Sequence, residues 1–490
     1  MRLHLNPGTV GISYEAAGRL LDALEELDTE PHALYVMRHG ETVLEGYWAP
    51  YGPGVIHGCQ SLTKTVTGIA LGCALQEGIL SLEDRLIDLF PEYAPLTEGS
   101  RWWEEVRVKH LATMSCGMDS QTSVTGRHWI RGFFETRIDH RPGTSYFYNS
   151  IACSMVGACI RKRTGEGLLQ YLSERVFRKI GIDPAHLRWH CHADGMENGS
   201  GGFISTARDN ALLMELYRRR GVWNNERILS KEWVDFALQV QNPHVGGDAQ
   251  YGGMLWVREG CFVADGAMGQ WSLLFPRQDL VISLNQTICR PNVDDAVRRA
   301  VCEFADSVTE SKEEWTDRQR KRFAGRLERL CIPAPVCRED GDALAALSGR
   351  SLKIPEGNSH FFADDLTIFD LAYGAPVKGF SFRERMGELV LHVVTETGEA
   401  DCNVAFHGYR PVQMIAPVTN NPARMASVTG SFPGERELRL EIRWLESCRV
   451  HLLTFRFDEE GADITTSRIP VGGFDVPDET VRAVWVKGER

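Results

Sequence analysis

Gln60-Ser61-Leu62-Thr63-Lys64 places a serine and a lysine three residues apart, a pattern whose residue types point directly to nucleophilic chemistry. A serine hydroxyl is a weak nucleophile until a neighbour takes its proton, and an amine does this when it is held close and kept neutral. Three residues are almost one helical turn, so on a helix Ser61 and Lys64 stand one above the other. The following run, TVTGIALGCALQEG, puts Val66, Ile69, Ala70, Cys73 and Ala74 at three- and four-residue spacings. This predicts a helix that buries one face and stops at Gly78. At the start of a buried helix, loss of solvent and the positive end of the dipole both disfavour an ammonium, so a depressed Lys64 pKa is expected. The same residues also fit an N-capping serine with a solvated first-turn lysine, and Ser-x-x-Lys recurs by chance in long chains.

Two other clusters invite chemistry. His190-Cys191-His192-Ala193-Asp194 suggests a metal, but on an extended segment these side chains alternate between faces and no second cluster follows at ligand spacing. No metal and no cofactor is therefore expected. Arg38-His39-Gly40 superficially suggests phosphotransfer, but it falls in a hairpin turn without the partners such chemistry needs.

The elements that must position these groups follow from the pattern. Residues 14–28 read as an amphipathic helix with Leu20, Leu21, Leu24 and Leu27 on one side, and HALYVMRHGETVLEGYW as a hairpin turning at Gly40. LSLEDRLIDLFPEY and VRVKHLATMSCGMD are short helices, and residues 119–141 a loop-rich insertion. Its Trp129, Phe133 and Phe134 suit a satellite core better than an acyl pocket. A turn at Pro142-Gly143 precedes a helix carrying Ile151, Met155, Val156 and Ile160. A glycine-rich turn, GSGG, leads into another helix, and residues 251–286 read as successive antiparallel strands. The layout is α+β. A charged helix over 308–330 is expected to lead out of this part. Beyond it HFFADDLTIFDLAY, LVLHVV, ASVTGSF, LRLEIRWLE, RVHLLTFRFD and ADITTSRI are strand-like, which predicts a separate antiparallel β domain. The expected division is 1–307, a linker at 308–339, and 340–490 as a lipocalin-like or partial barrel.

Composition bounds the function. The chain has 490 residues, 24 % charged and 43 % hydrophobic, as in a globular protein of two or three domains. The net charge of −12, without a long basic block, makes nucleic acid an improbable partner. The N-terminus lacks a secretory pattern and no apolar run reaches membrane-spanning length, so no membrane contact and a cytoplasmic address are expected. Thirteen scattered cysteines without a Cys-x-x-Cys pair suit reduced thiols better than disulfides. Self-association is left open.

Taken together, the Ser-x-x-Lys helix, the preceding strand pair, Tyr148 after a Pro-Gly turn, and late strands carrying Gly266 and Gly269 resemble the serine beta-lactamase and penicillin-binding-protein superfamily. The closest branch is the class C-like serine hydrolases, with esterases, amidases and small-peptide hydrolases. GILSLEDRLIDLFPE, VKHLATMSCGMD, PGTSYFYNS, GGFISTARD and DGAMGQWSLLFPRQDLVISL are similar to that branch in order and spacing, over roughly residues 10–305.

The resemblance implies a transpeptidase-like fold, an antiparallel sheet flanked by helices plus a helical subdomain. It makes Ser61 the nucleophile, and Lys64 and Tyr148 its proton-transfer groups. Tyr148, beside Lys64, is expected to favour its phenolate form. Tyr146 is the nearest competing assignment. The family's Tyr-x-Asn reads Tyr148-Asn149-Ser150 here, which departs at Ser150. Its Lys-Thr-Gly aligns with Ala264-Asp265-Gly266, so the cation that attracts a substrate carboxylate is missing. Asp265, if it faces the cleft, repels anions. The amides of Ser61 and Ala267 are the implied oxyanion hole, with Gly266 permitting close approach or forming a β-bulge. Asn149, Ser150, Asp265, Gly266, Gln270 and Trp271 are candidate substrate-binding residues, Gln270 and Trp271 with ordinary strand packing as the competing role. A small ester, amide or peptide-like substrate is expected. β-Lactam or D-peptide cleavage, acyl transfer through the same intermediate, and a non-catalytic sensor on the same scaffold are the alternatives.

Overall fold

Ser13 accepts a hydrogen bond from the Ala16 amide at 3.1 Å and starts helix α1 (Tyr14–Glu26), whose Leu20, Leu21 and Leu24 are buried as their spacing predicts. The computed structural model describes residues 6–27, 29–122, 127–242, 249–288, 293–334, 337–355, 376–385, 388–396, 398–409, 413–414, 425–468 and 477–486. Strands β1 (Thr29–Arg38) and β2 (Glu41–Tyr47) make the expected hairpin. His39 and Gly40 take φ of 54° and 82°, the paired positive values of a two-residue turn that matches strand twist.

After β3 (His57–Gly58) a 3₁₀ turn at Gln60–Leu62 runs straight into α2 (Thr63–Gln76). Every residue from Thr63 to Ala74 is buried, so α2 is enclosed on all sides rather than amphipathic. The reason lies in its small residues: a Cβ on Gly72 would sit 2.4 Å from the Trp233 ring, so the helix Lys231–Ala237 presses onto α2 at its glycines. Gly78, at φ 67°, ends the helix as expected. Helix α3 (Ser150–Thr164) packs beside α2. A small sheet is formed by β3, β4 (Arg188–Trp189) and β5 (Phe203–Ser205), in the order β3-β5-β4, and α4 (Ala207–Arg218) follows.

The main sheet is completed by β6 (Ala249–Tyr251), β7 (Trp256–Arg258), β8 (Cys261–Gly266), β9 (Gln270–Phe275) and β10 (Leu280–Ile288). Its order is β2-β1-β10-β9-β8-β7-β6, antiparallel throughout. One face meets the helical part around α2; the other is covered by α1, α5 (Val293–Asp306) and α6 (Asp317–Leu327). The helix expected over 308–330 is thus shorter and packs back: Trp315, Phe323 and Leu327 are buried in the outer layer, and Arg326 pairs with Asp22 at 2.7 Å. Its apolar residues outweigh its charged surface as a guide to placement. Phe133 and Phe134 are buried against Phe90, Tyr93 and Trp103, with Trp129 buried in the same cluster, a satellite core.

The C-terminal part is a second antiparallel sheet of β11 (Ser351–Lys353), β12 (Val377–Arg385), β13 (Glu388–Thr395), β14 (Glu399–Val404), β15 (Gln413–Met414), β16 (Met425–Gly434), β17 (Glu437–Trp444), β18 (Arg449–Phe457), β19 (Gly461–Arg468) and β20 (Glu479–Trp485). The order β14-β13-β12-β11-β20-β19-β18-β17-β16-β15 curls round until Ala405 bonds Val428 and Gly430 at 3.0 and 2.8 Å, nearly closing a barrel. The strand expected in HFFADDLTIFDLAY lies outside the described residues. Among the described residues no helix is long and apolar enough to cross a membrane, and no disulfide joins two cysteines.

The two sheets meet through buried polar contacts. Arg443 of β17 pairs with Glu30 of β1, which also lies 3.0 Å from His32; His32 in turn lies 3.0 Å from His57 of β3. Burial alone would raise the Glu30 carboxyl, but hydrogen bonding to His32 and the Arg443 charge outweigh it and hold it at about 2. A depressed carboxyl favours the folded state above its ordinary pKa of 4.5, and that contribution is lost as pH falls toward about 2. Arg443→Ala is therefore expected to cost about 2 to 4 kcal/mol in urea unfolding at neutral pH. The same variant should show a flatter acid limb than the parent in that window.

Candidate active site

Gln60, at φ 52°, bends the chain so that Ser61 enters the 3₁₀ turn ahead of α2. One turn later Lys64 Nζ lies 2.9 Å from Ser61 Oγ and donates to the Ser200 carbonyl at 2.8 Å. The Lys64 side chain is 2 % exposed, and burial lowers its pKa to about 8. The Ser200 carbonyl comes from the glycine-rich turn, which α2 grips along one side. Thr67 Oγ1 donates to Gly199 O at 2.7 Å, and Thr63 Oγ1 accepts from the Phe203 amide at 3.0 Å. Asn198 Oδ1 fixes the turn from within by accepting from the Ser200 amide and hydroxyl at 2.9 and 2.7 Å. The threonines on either side of Lys64 were a sequence signal for this clamp. A backbone carbonyl such as that of Ser200 leaves none.

Tyr148 comes close enough to Ser61 for the serine to act on its phenol, and Lys64 Nζ lies over its ring, 4.9 Å from the centroid. Trp256 stacks on the ring at 5.9 Å and Tyr251 meets it edge-on at 6.4 Å. Burial pushes the phenol well above its ordinary pKa, while Ser61 works the other way. The phenolate expected from a neighbouring cation is thus not what these surroundings favour. Lys64 is itself partly neutral and Tyr148 sits among aromatic rings, so the neutral phenol wins. Tyr146 packs on Tyr251 at 5.9 Å, and its buried hydroxyl has no hydrogen-bond partner among the described residues.

The other singled-out residues separate into two groups. Gly266 lies against the nucleophile segment: a Cβ there would be 2.2 Å from the Cys59 carbonyl oxygen. Its φ of −116° shows that close approach, not a left-handed turn, requires the glycine. Ala267 follows directly, and the turn continues through Met268 at φ 65° and Gly269 at φ 86°. Ala264 shares the inner face with α2. Asp265 and Trp271 do not join the site. Strand alternation sends Asp265 to the outer layer, where it accepts from Trp271 Nε1 at 3.1 Å and faces Arg298 at 3.5 Å. Trp271 is buried there among α1 and α5 residues, under the Arg298 guanidinium. Gln270 is fully buried and already engaged, donating to Gln286 O at 2.5 Å and accepting from Asn285 at 2.9 Å. Asn149 caps α3 by accepting from the Ala152 amide at 3.0 Å, and the buried Ser150 donates its amide to Gln121 at 2.8 Å.

His192 stacks on Trp129 at 4.4 Å and Asp194 accepts from Trp129 Nε1 at 3.0 Å. Among the described residues no group of three or more His, Cys, Asp or Glu side chains is placed to hold a metal. Arg38 ties strands and termini together through Gln278 O at 3.0 Å and Thr309 O at 2.7 Å.

A serine opening a buried helix, a lysine one turn on and a tyrosine from the facing segment are thus brought together between an antiparallel sheet and a helical lobe. A family model, Beta-lactamase, matches residues 22–301, and the chain belongs to the beta-lactamase family. A beta-lactamase of Yersinia enterocolitica is 32% identical over 127 residues, 25% of this chain and 31% of that protein. The 6-aminohexanoate-dimer hydrolase of Paenarthrobacter ureafaciens is 26% identical over 245 residues, 45% of this chain and 61% of its own length. The matches therefore span about a third to three-fifths of these relatives. A candidate beta-lactamase from Bacteroides dorei, solved by crystallography, shares the fold with a TM-score of 0.51 at 14% identity, covering 60% of this chain and 98% of that one.

The contact at Gly266 generates a direct test. Gly266→Ala forces backbone against backbone, so it is expected to cost about 1 to 3 kcal/mol of stability. Thermal unfolding would read this as a lowered midpoint, whereas Ala267→Gly on the neighbouring residue should stay near the parent.

Proposed function

We propose that the protein hydrolyses an ester or amide through an acyl-Ser61 intermediate. The observation that carries this reading is the 2.9 Å approach of a buried lysine amine, with its pKa drawn to about 8, to the serine hydroxyl. In its neutral form Lys64 keeps one N–H on the Ser200 carbonyl and offers its lone pair to the Ser61 proton. Ser61 Oγ then attacks the substrate carbonyl carbon, the π electrons move to oxygen, and the Ser61 and Ala267 amides meet that oxyanion. Collapse breaks the bond to the leaving group, which takes the Tyr148 hydroxyl proton; the Lys64 ammonium then returns its proton to the Tyr148 oxygen, leaving both groups neutral beside the acyl ester. Water then repeats the sequence on the acyl-enzyme and releases the acid.

Ala264 on the inner face and Asp265 on the outer face supply no cation to the cleft, which favours a substrate whose acyl part is uncharged near the reacting carbonyl. Classical β-lactam and D-alanyl peptide recognition through a carboxylate is correspondingly disfavoured. The name of the Paenarthrobacter relative, 6-aminohexanoate-dimer hydrolase, is in keeping with this choice. The free thiols support a reducing, cytoplasmic setting.

A fluorophosphonate probe followed by intact mass tests the reading. One adduct on the parent and none on Ser61→Ala is expected; an unlabelled parent would favour a non-catalytic sensor. Lys64→Ala and Tyr148→Phe should each keep the fold by circular dichroism and slow acylation of p-nitrophenyl esters by ~10²-fold or more. Acylation by the parent should rise with pH through about 8, because only the deprotonated amine accepts the serine proton. A flat profile across that range would remove Lys64 as the base.

A further inference from the structure

The proposed oxyanion hole is assembled from two backbone segments, and residues 445–448 of the C-terminal sheet, the turn between β17 and β18, touch both. On the nucleophile side the Gly58 amide donates to the Glu446 carbonyl at 2.9 Å, while the next amide, of Cys59, donates to Phe203 O at 2.9 Å. The Glu446 side chain, 1 % exposed, accepts from Arg188 Nη1 at 2.8 and 2.9 Å. Gly58 and Arg188 both lie opposite Ile204 in the small sheet, so one residue clips both edge strands along a single row.

On the other side Cys448, 3 % exposed, packs against Ala267 and Met268. Gln270 Nε2 donates to the Cys448 sulfur and to Met268 O, both at 3.3 Å. Met268 sits at φ 65°, a conformation that a side-chain-bearing residue holds only when its surroundings fix it. The turn thus braces the strand that leads to Ser61 with one residue and the turn that carries Ala267 with another.

We propose that residues 445–448 are a positioning element of the acylation site, with Glu446 and Cys448 setting the separation of the Ser61 and Ala267 amides. The C-terminal sheet is then a working part of the hydrolase and not an appended binding module. This rests on the acyl-Ser61 reading above. Donors to an oxyanion act only when aimed at the atom that becomes charged, so loosening the brace slows the bond-forming step without weakening the first encounter with substrate.

The test uses the full chain and an alkyl fluorophosphonate, with the maximal labelling rate and the half-saturating concentration measured separately. Cys448→Ala and Glu446→Ala are each expected to lower the maximal rate by ~10-fold or more and to leave half-saturation within about twofold. Cys448→Ser, which keeps an acceptor for Gln270, should return to within about threefold of the parent. Leu453→Ala thins the C-terminal core away from the turn and should lower thermal stability without changing the labelling rate. Parent-like maximal rates in both Cys448→Ala and Glu446→Ala overturn the proposal, as does an equal loss in Leu453→Ala or a change confined to half-saturation. Equal labelling of the parent and Ser61→Ala sinks the Ser61 reading itself, a result distinct from all of these.

Discussion

A primary amine buried beside a hydroxyl is the constraint to which the rest of this structure answers. Removing an ammonium from water is costly, and the protein meets that cost by lowering its pKa and giving its hydrogens acceptors. Lys64 has Ser61 Oγ and the Ser200 carbonyl as those acceptors. Holding both in place requires α2 to be central, with α3 and the helix at Trp233 packed on it and the glycine-rich turn clamped along it. The enclosure of α2 is therefore not incidental packing. It is what makes an ordinary Ser-x-x-Lys spacing chemically unlike the solvated version of the same four residues.

The period of two along β8 decides how the site departs from its relatives. Ala264 and Gly266 fall on the inner face, and Asp265 on the outer one. The Asp265 carboxylate is held by Trp271 and Arg298, on the side of the sheet away from Ser61. Its charge is balanced there, and burial raises its pKa despite Arg298. At Ala264-Asp265 the strand thus presents neither a cation nor an anion to Ser61. That leaves room for uncharged groups without excluding anions by repulsion.

Legibility followed the range of the interactions. Ser61 and Lys64 are three residues apart, the hairpin at Gly40 is local, and the late strands alternate, so each could be read from a short window. The transpeptidase-like fold came from several such windows in the right order. Of the two roles open to Trp271 the structure shows strand packing, and Asp265 stands with it and Val263 on the outer face; which face of β8 is the outer one is set by packing that residue type does not mark. Gln270 and Asn149 have polar side chains that look available in sequence, yet Gln270 is engaged across the sheet and Asn149 caps a helix. The Ser200 carbonyl and the turn at 445–448 were beyond reach for a different reason. Their contributions are backbone groups and contacts between distant segments, and neither leaves a mark on residue type.

Tyr148 shows how the aromatic surroundings complete the proton balance. Stacked on Trp256 and edged by Tyr251, its phenol is held neutral, so it suits a donor and Lys64 the acceptor. Yet the same ring lies beneath Nζ, and an aromatic face attracts a cation but gains little from a neutral amine. Burial opposes the resting ammonium and draws its pKa to about 8; the ring face and the Ser200 carbonyl suit the ammonium that the proposed transfer from Ser61 would create. An amine with a pKa near 8 can both take a proton and give it back, which the proposed cycle through an acyl-enzyme demands twice in each turnover.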